Sequence, residues 1–193
     1  IKAEVKFDDE GKDWDDLAEI EGNIFEQIKG AESFLRRNIK TSARIVGFER
    51  VEQLEIPIEA LREAIVNALV HRDYTKTGSE TFLRIRKNNV LIENPGGLIP
   101  PLTIDEILSS KFVPKTRNPI IADVLSDLRL MDKRGSGFIR MRKLMEDSDL
   151  SQPQFSELPD GFRVQFFSSS HNEEEKPFIP SGEYKKANPD DDQ

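Results

Sequence analysis

The chain has 193 residues, 28 Lys+Arg against 36 Asp+Glu for a net charge of −8, and a hydrophobic share of 36%. It has no cysteine and only two histidines, which excludes disulfide scaffolds, thiol catalysis and multi-histidine metal sites. No run approaches the roughly 20 apolar residues of a membrane helix, so no membrane partner is expected. Nothing at Ile1 reads as a leader, and the expectation is a cytoplasmic piece of a longer chain.

The acidity sits at the two ends. Residues 1–16 carry seven acids and three bases, residues 171–193 carry the same numbers, and the stretch between them is neutral. That argues against a whole-domain basic footprint for nucleic acid.

In chain order, Ala3, Val5 and Phe7 alternate with Lys2, Glu4 and Lys6, which predicts a short strand, followed by an acidic loop at 8–16. Ile24, Ile28, Phe34 and Leu35 give an apolar face to a helix over 23–38. Residues 43–56 read as extended, with Gly47 as a bend, and Pro57 stands where a helix can begin. That helix spans 58–71 and leads into a loop at 73–78. Residues 81–86 and 90–93 read as a hairpin around Lys87-Asn88-Asn89, and Asn94-Pro95-Gly96-Gly97 breaks its second strand.

Thr103 and Glu106 form a capping box for a further helix. Pro119 opens another, with Ile120, Val124, Leu125 and Leu128 along one side. A last helix runs from Gly135-Ser136-Gly137 to about 146, and a strand over 163–167 closes the domain. Residues 169–193 are acidic, carry prolines and lack apolar periodicity, which predicts a disordered tail. Helices and paired strands without regular alternation predict an α+β two-layer α/β sandwich over 55–168, preceded by a strand and helix segment at 1–54.

Three pieces could carry chemistry. Glu63, Asn67 and His71 recur every fourth residue and share one stripe of their helix, flanked by Ala64, Val66 and Val70 rather than by charges. A polar stripe between apolar flanks suits the wall of a half-buried site; the alternative is a partly buried helix whose Asn caps a neighbouring loop. In the second piece, a hydrophobic strand ends in Glu93 and then Gly96-Gly97. A carboxylate there can accept from an amino group on a ring, and glycines let backbone approach a ligand, although the same residues make a plain turn. In the third, Arg134-Gly135-Ser136-Gly137 precedes a helix, and backbone amides at a helix start suit an anion. Residues 129–143 hold six bases and one acid; the alternatives are a helix-entry loop and a solvated face.

The three in this order resemble the N box and the two glycine boxes of the gyrase B–histidine kinase–MutL superfamily, the Bergerat-fold ATPases. More closely, Leu61-Arg-Glu-Ala-Ile-Val-Asn-Ala-Leu-Val-His-Arg-Asp-Tyr74, Glu93-Asn-Pro-Gly-Gly-Leu98, Arg117-Asn-Pro-Ile120 and Arg134-Gly-Ser-Gly-Phe138 resemble the C-terminal region of bacterial RecG-related proteins and transcriptional regulators. The resemblance implies a mixed, mostly antiparallel sheet with helices on one face, and ATP and Mg²⁺ as cofactors. It implies Asn67 as the Mg²⁺ ligand, Glu63 as general base for water, Glu93 at the adenine amino group, and Gly96, Gly97, Gly135 and Gly137 around the nucleotide. His71 either meets a phosphate or ends its helix as a cation, and Arg134 adds charge at the phosphates. DNA would be met through a preceding domain rather than this fragment, and a homodimer is a further possible partner. The departures are Pro95 for the first glycine, Ile139 for the last, and His71-Arg72-Asp73 where a Lys or acidic pair is usual. They argue against tight ATP binding and fast turnover, and leave open a regulatory or dimerisation module without turnover. A P-loop helicase motor is excluded, because no Gly-x-x-x-x-Gly-Lys-Ser/Thr segment occurs.

Overall fold

The computed structural model describes residues 1–8, 13–46, 49–109, 112–132 and 135–168; the side chains of 42–46 and 49–54 are outside it as well. The bend at Gly47, the residues Lys133 and Arg134, and the tail at 169–193 therefore lie outside the described residues.

The elements are β1 (Lys2–Lys6), β2 (Asp16–Glu19), α1 (Ile24–Asn38), β3 (Thr41–Val46), β4 (Glu49–Leu54), α2 (Ile58–His71), β5 (Phe82–Arg86), β6 (Asn89–Pro95), α3 (Ile104–Ser109), α4 (Pro119–Asp127), α5 (Gly137–Glu146), β7 (Gln154–Leu158) and β8 (Gly161–Phe167). Six strands form one open sheet in the order β2-β1-β5-β6-β8-β7, while β3 and β4 pair only with each other. Within the large sheet β1 and β5 run parallel and every other neighbouring pair is antiparallel. This is an α+β fold with a mostly antiparallel sheet.

Side chains alternate across each strand. One face presents Ala3 and Val5, Leu83 and Ile85, Val90 and Ile92, and Phe162, Val164 and Phe166, all buried in one cluster with α1, α2 and α5. Ten of the 14 residues of α2 are buried, so this helix is the centre of the core rather than a surface element. The helix α1 is held at its start by the side chain of Asn23, which accepts from the amides of Phe25 and Glu26, while the Glu26 carboxylate receives the Asn23 amide in return. The same reciprocal cap joins Thr103 and Glu106 before α3.

The structure differs from the sequence expectations in four places. The acidic loop at 8–16 ends in β2, an edge strand paired to β1, and β7 forms where no strand is expected. Strand β6 does not break at Asn94: it continues to Pro95, which pairs with Gly161 at the end of the ladder. On α4 only Ala122 and Leu125 are buried, and Ile120, Val124 and Leu128 face solvent. These burials set mutational expectations. Leu69→Ala, at a fully buried position, is expected to destabilise the fold by about 2–5 kcal/mol in denaturant titration. Ile120→Ala, at a position 78% exposed, is expected to stay within about 0.5 kcal/mol of wild type.

Candidate functional site

A cavity of about 260 Å³ opens between α2, the inner face of the sheet and the start of α5. Asn67 and His71 line it from α2, Ile92, Asn94, Phe162 and Val164 from the sheet, Gly96 and Gly97 from the turn after β6, and Gly135, Gly137 and Phe138 from the segment entering α5. The strap joining α3 to α4 covers part of the opening with Phe112, Pro114, Lys115, Thr116 and Arg117. Three separated sequence pieces thus meet at one hollow of mixed apolar and polar character, the usual make-up of a small-molecule site.

The glycines have physical reasons to be glycines. A methyl group at Gly137 would lie 2.6 Å from Glu63 Oε1 and 2.8 Å from Asn67 Nδ2. The bare backbone at the start of α5 therefore rests on the polar stripe of α2. Gly96 has φ +96°, in the left-handed region, and a methyl there would press on Asp73 and Arg117. Gly135, at φ +70°, is crossed closely by Pro114 and Phe112 of the strap.

Glu63 is buried against Gly137 and is not part of the cavity lining. Burial raises its carboxyl above the usual range, and the neighbouring Arg140 guanidinium, 3.8 Å away, opposes that shift. His71 does line the cavity, but burial, reinforced by the charge of Arg117, lowers its imidazole below the ordinary 6.5. Both influences disfavour the cation at the end of α2.

Glu93 does not face the cavity. It is paired with Arg84 and Arg163, and Arg84 also donates to Glu4 at 2.9 Å. All four belong to the outer face of the sheet, because β6 keeps its alternation through Pro95 and sends Ile92 and Asn94 inward instead. The inward polar group is Asn94, 6% exposed. Its Nδ2 donates to the carbonyls of Pro95 and Gly96, both at 3.3 Å. Ile139 is also displaced from its expected place: it is half exposed and outside the cavity lining. Arg134 lies outside the described residues.

Sequence reasoning missed the role of Arg117 and Asn118. Asn118 donates to the carbonyls of Val70 and Arg72, both at 2.8 Å. Arg117 donates to the carbonyl of His71 at 3.2 Å and to that of Gly97 at 2.9 Å. The phrase Arg117-Asn-Pro-Ile120 was the available signal: an Asn before a helix-opening proline is a familiar cap, but here its side chain caps a different helix.

Residues 78–166 match the family model described as "Putative ATP-dependent DNA helicase recG C-terminal". The match begins after α2, so Glu63, Asn67 and His71 precede it. Among solved structures, the chain is similar to the DIP2311 protein from Corynebacterium diphtheriae, with 28% identity and a TM-score of 0.76 over 87% of this chain. The chain spans 34% of the length of that protein, about a third. A comparison with curated proteins finds no match.

Two expectations follow. A buried carboxyl with a raised pKa binds its proton more tightly in the folded state. Its contribution to stability is full below the ordinary value near 4.5 and is lost as pH rises through the raised value. Glu63→Gln should therefore gain stability relative to wild type as pH goes from acid to neutral, and a pH-independent difference between the two would contradict this. Glu93→Gln should weaken the fold by about 1–3 kcal/mol, since it discharges the group that neutralises two arginines. It should leave ligand affinity at the cavity unchanged in calorimetry.

Proposed function

We propose that this chain is a divergent Bergerat-type module that binds an adenine nucleotide in the cavity between α2 and α5. The observation that carries the reading is the convergence of Asn67, Asn94, Gly97, Gly135 and Gly137 on one hollow of about 260 Å³. The apolar surfaces of Ile92, Phe162 and Phe138 suit the faces of a heterocycle. The side-chain carbonyl of Asn94, an acceptor in the lining, suits an exocyclic amino group, the part assigned from sequence to Glu93. The amides that enter α5 suit a phosphate.

Magnesium fits this site only in company. Among the described residues no group of three His, Cys, Asp or Glu side chains could hold a metal ion. Mg²⁺ is commonly bound by one or two protein oxygens together with substrate phosphates and waters. Asn67 would be the protein ligand, and the ion would neutralise phosphate charge. The lining supplies Lys115 and Arg117 against Asp123 and Asp132, so its described charges balance and a triphosphate gains from a counter-ion.

Glu63 favours a second reading for turnover. It packs against Gly137 outside the cavity lining, where a general base would have to reach a water. Binding without efficient hydrolysis, in a regulatory module of a longer protein with a DNA-associated part, accords with that position. No helix of the described residues is long and apolar enough to cross a membrane.

Thermal unfolding with and without ATP and Mg²⁺ tests the reading. A ligand at about 100 times its dissociation constant adds about 2.7 kcal/mol of stability. Wild type should shift upward with Mg²⁺ and ATP together, and Asn67→Ala should lose the Mg²⁺-dependent part. No shift at millimolar ATP would remove the nucleotide reading. Phosphate release faster than in Glu63→Ala would restore the hydrolase reading.

A further inference from the structure

The exit of α2 is closed in an unusual way. The last carbonyls of a helix have no partners within it, and a glycine in the left-handed region is the common solution. Here Arg72 follows α2 with φ −55°, and no such glycine is present. Instead four successive carbonyls accept from side chains that arrive later in the chain. Leu69 O accepts from Tyr74 at 3.0 Å, Val70 O and Arg72 O from Asn118, and His71 O from Arg117.

The same Arg117 reaches the other side of the corner. Its Nη2 donates to Gly97 O at 2.9 Å, and its Nη1 lies 3.6 Å from Asp73 Oδ2. The amide of Asp73 in turn donates to Pro95 O at 2.8 Å. One planar guanidinium therefore bridges the end of α2 and the glycine turn after β6. Both borders belong to the cavity, as does the strap of 112–116 that ends at this residue.

We propose that Arg117 and Asn118 are positioning residues for the ligand site. They hold the exit of α2 against the Gly96-Gly97 turn, so that Asn67 and His71 on the helix keep a fixed register to Asn94 on the sheet. The inference rests on the nucleotide reading for the identity of the ligand, but not for the clamp itself. Arg117 already places its donors on two backbone carbonyls and stands beside the Asp73 carboxylate, so its part is to shape the hollow rather than to supply a cation to a phosphate. Only a rigid fork can span both carbonyls at once; a lysine ammonium in its place is a single point charge.

The test uses the full chain as wild type, R117Q and R117K. Affinities for ATP with Mg²⁺ and for adenosine are measured by calorimetry, the fold is checked by circular dichroism, and the imidazole of His71 is titrated by NMR. His71 is one of only two histidines in the sequence; Arg72, Asp73 and Arg117 are charged groups at this corner, and Arg117 is the one whose charge lowers the imidazole. The expected result is loss of about tenfold or more in affinity for both probes in both variants, with the fold retained. The His71 midpoint should rise in R117Q, because the cation beside it is gone. Adenosine binding unchanged in both variants, or R117K binding ATP like wild type, would mean that Arg117 acts as a charge on phosphate, and the proposal falls. If R117Q does not fold, R117K alone decides. If wild type binds neither probe, the nucleotide reading fails separately, and a His71 midpoint that does not move in R117Q then overturns the clamp while one that rises supports it.

Discussion

The start of α5 lies directly on the polar stripe of α2, and it can do so only because residue 137 has no side chain. With Glu63 Oε1 2.6 Å and Asn67 Nδ2 2.8 Å from where a methyl would stand, any larger residue would push the two helices apart. That approach fixes three things at once. It buries the Glu63 carboxyl beside Arg140, it sets Asn67 in the wall of the hollow, and it brings the segment entering α5 to the edge of the same hollow. A helix that was apolar all round could pack as closely, but it would leave no polar group at the junction.

The rest of the hollow is assembled around that contact. The sheet supplies an apolar floor, and its parity decides that Asn94 rather than Glu93 faces inward. The carboxylate so excluded is used on the other face, where Glu4, Arg84, Glu93 and Arg163 form a partly buried cluster. Paired charges of this kind contribute little net stability but are damaging to break. The division of labour between two adjacent residues of one strand thus separates the architecture of the outer face from the chemistry of the inner one.

Much of this was legible in the sequence. The bounds of α2 follow from Pro57 and from the apolar run that ends at His71, and the capping box at Thr103 marks a helix start by local chemistry alone. The convergence of the stripe and the glycine segments was readable through their order. Four features were not. The inward placement of Asn94 depends on β6 continuing past Glu93, where Asn94-Pro-Gly-Gly97 reads as a break. The strand β2 is built from Asp16-Leu-Ala-Glu19, a polar edge whose pairing to β1 comes from tertiary context rather than its own pattern. The stripe of Ile120, Val124 and Leu128 reads as core, but apolar periodicity shows only that a face could be buried. The capping of α2 by Arg117 and Asn118 joins residues more than 40 positions apart, which no local rule anticipates.

The most direct test is a residue-resolved one. Amide and side-chain NMR spectra of the protein, recorded while Mg²⁺ and a non-hydrolysable ATP analogue are added, should show saturable changes at Asn67, His71, Asn94, Gly97, Gly135 and Gly137, with Arg84 and Arg163 unaffected. Changes confined to the Glu93 face of the sheet, or no saturable change at all, would contradict the assignment of the hollow as a nucleotide site.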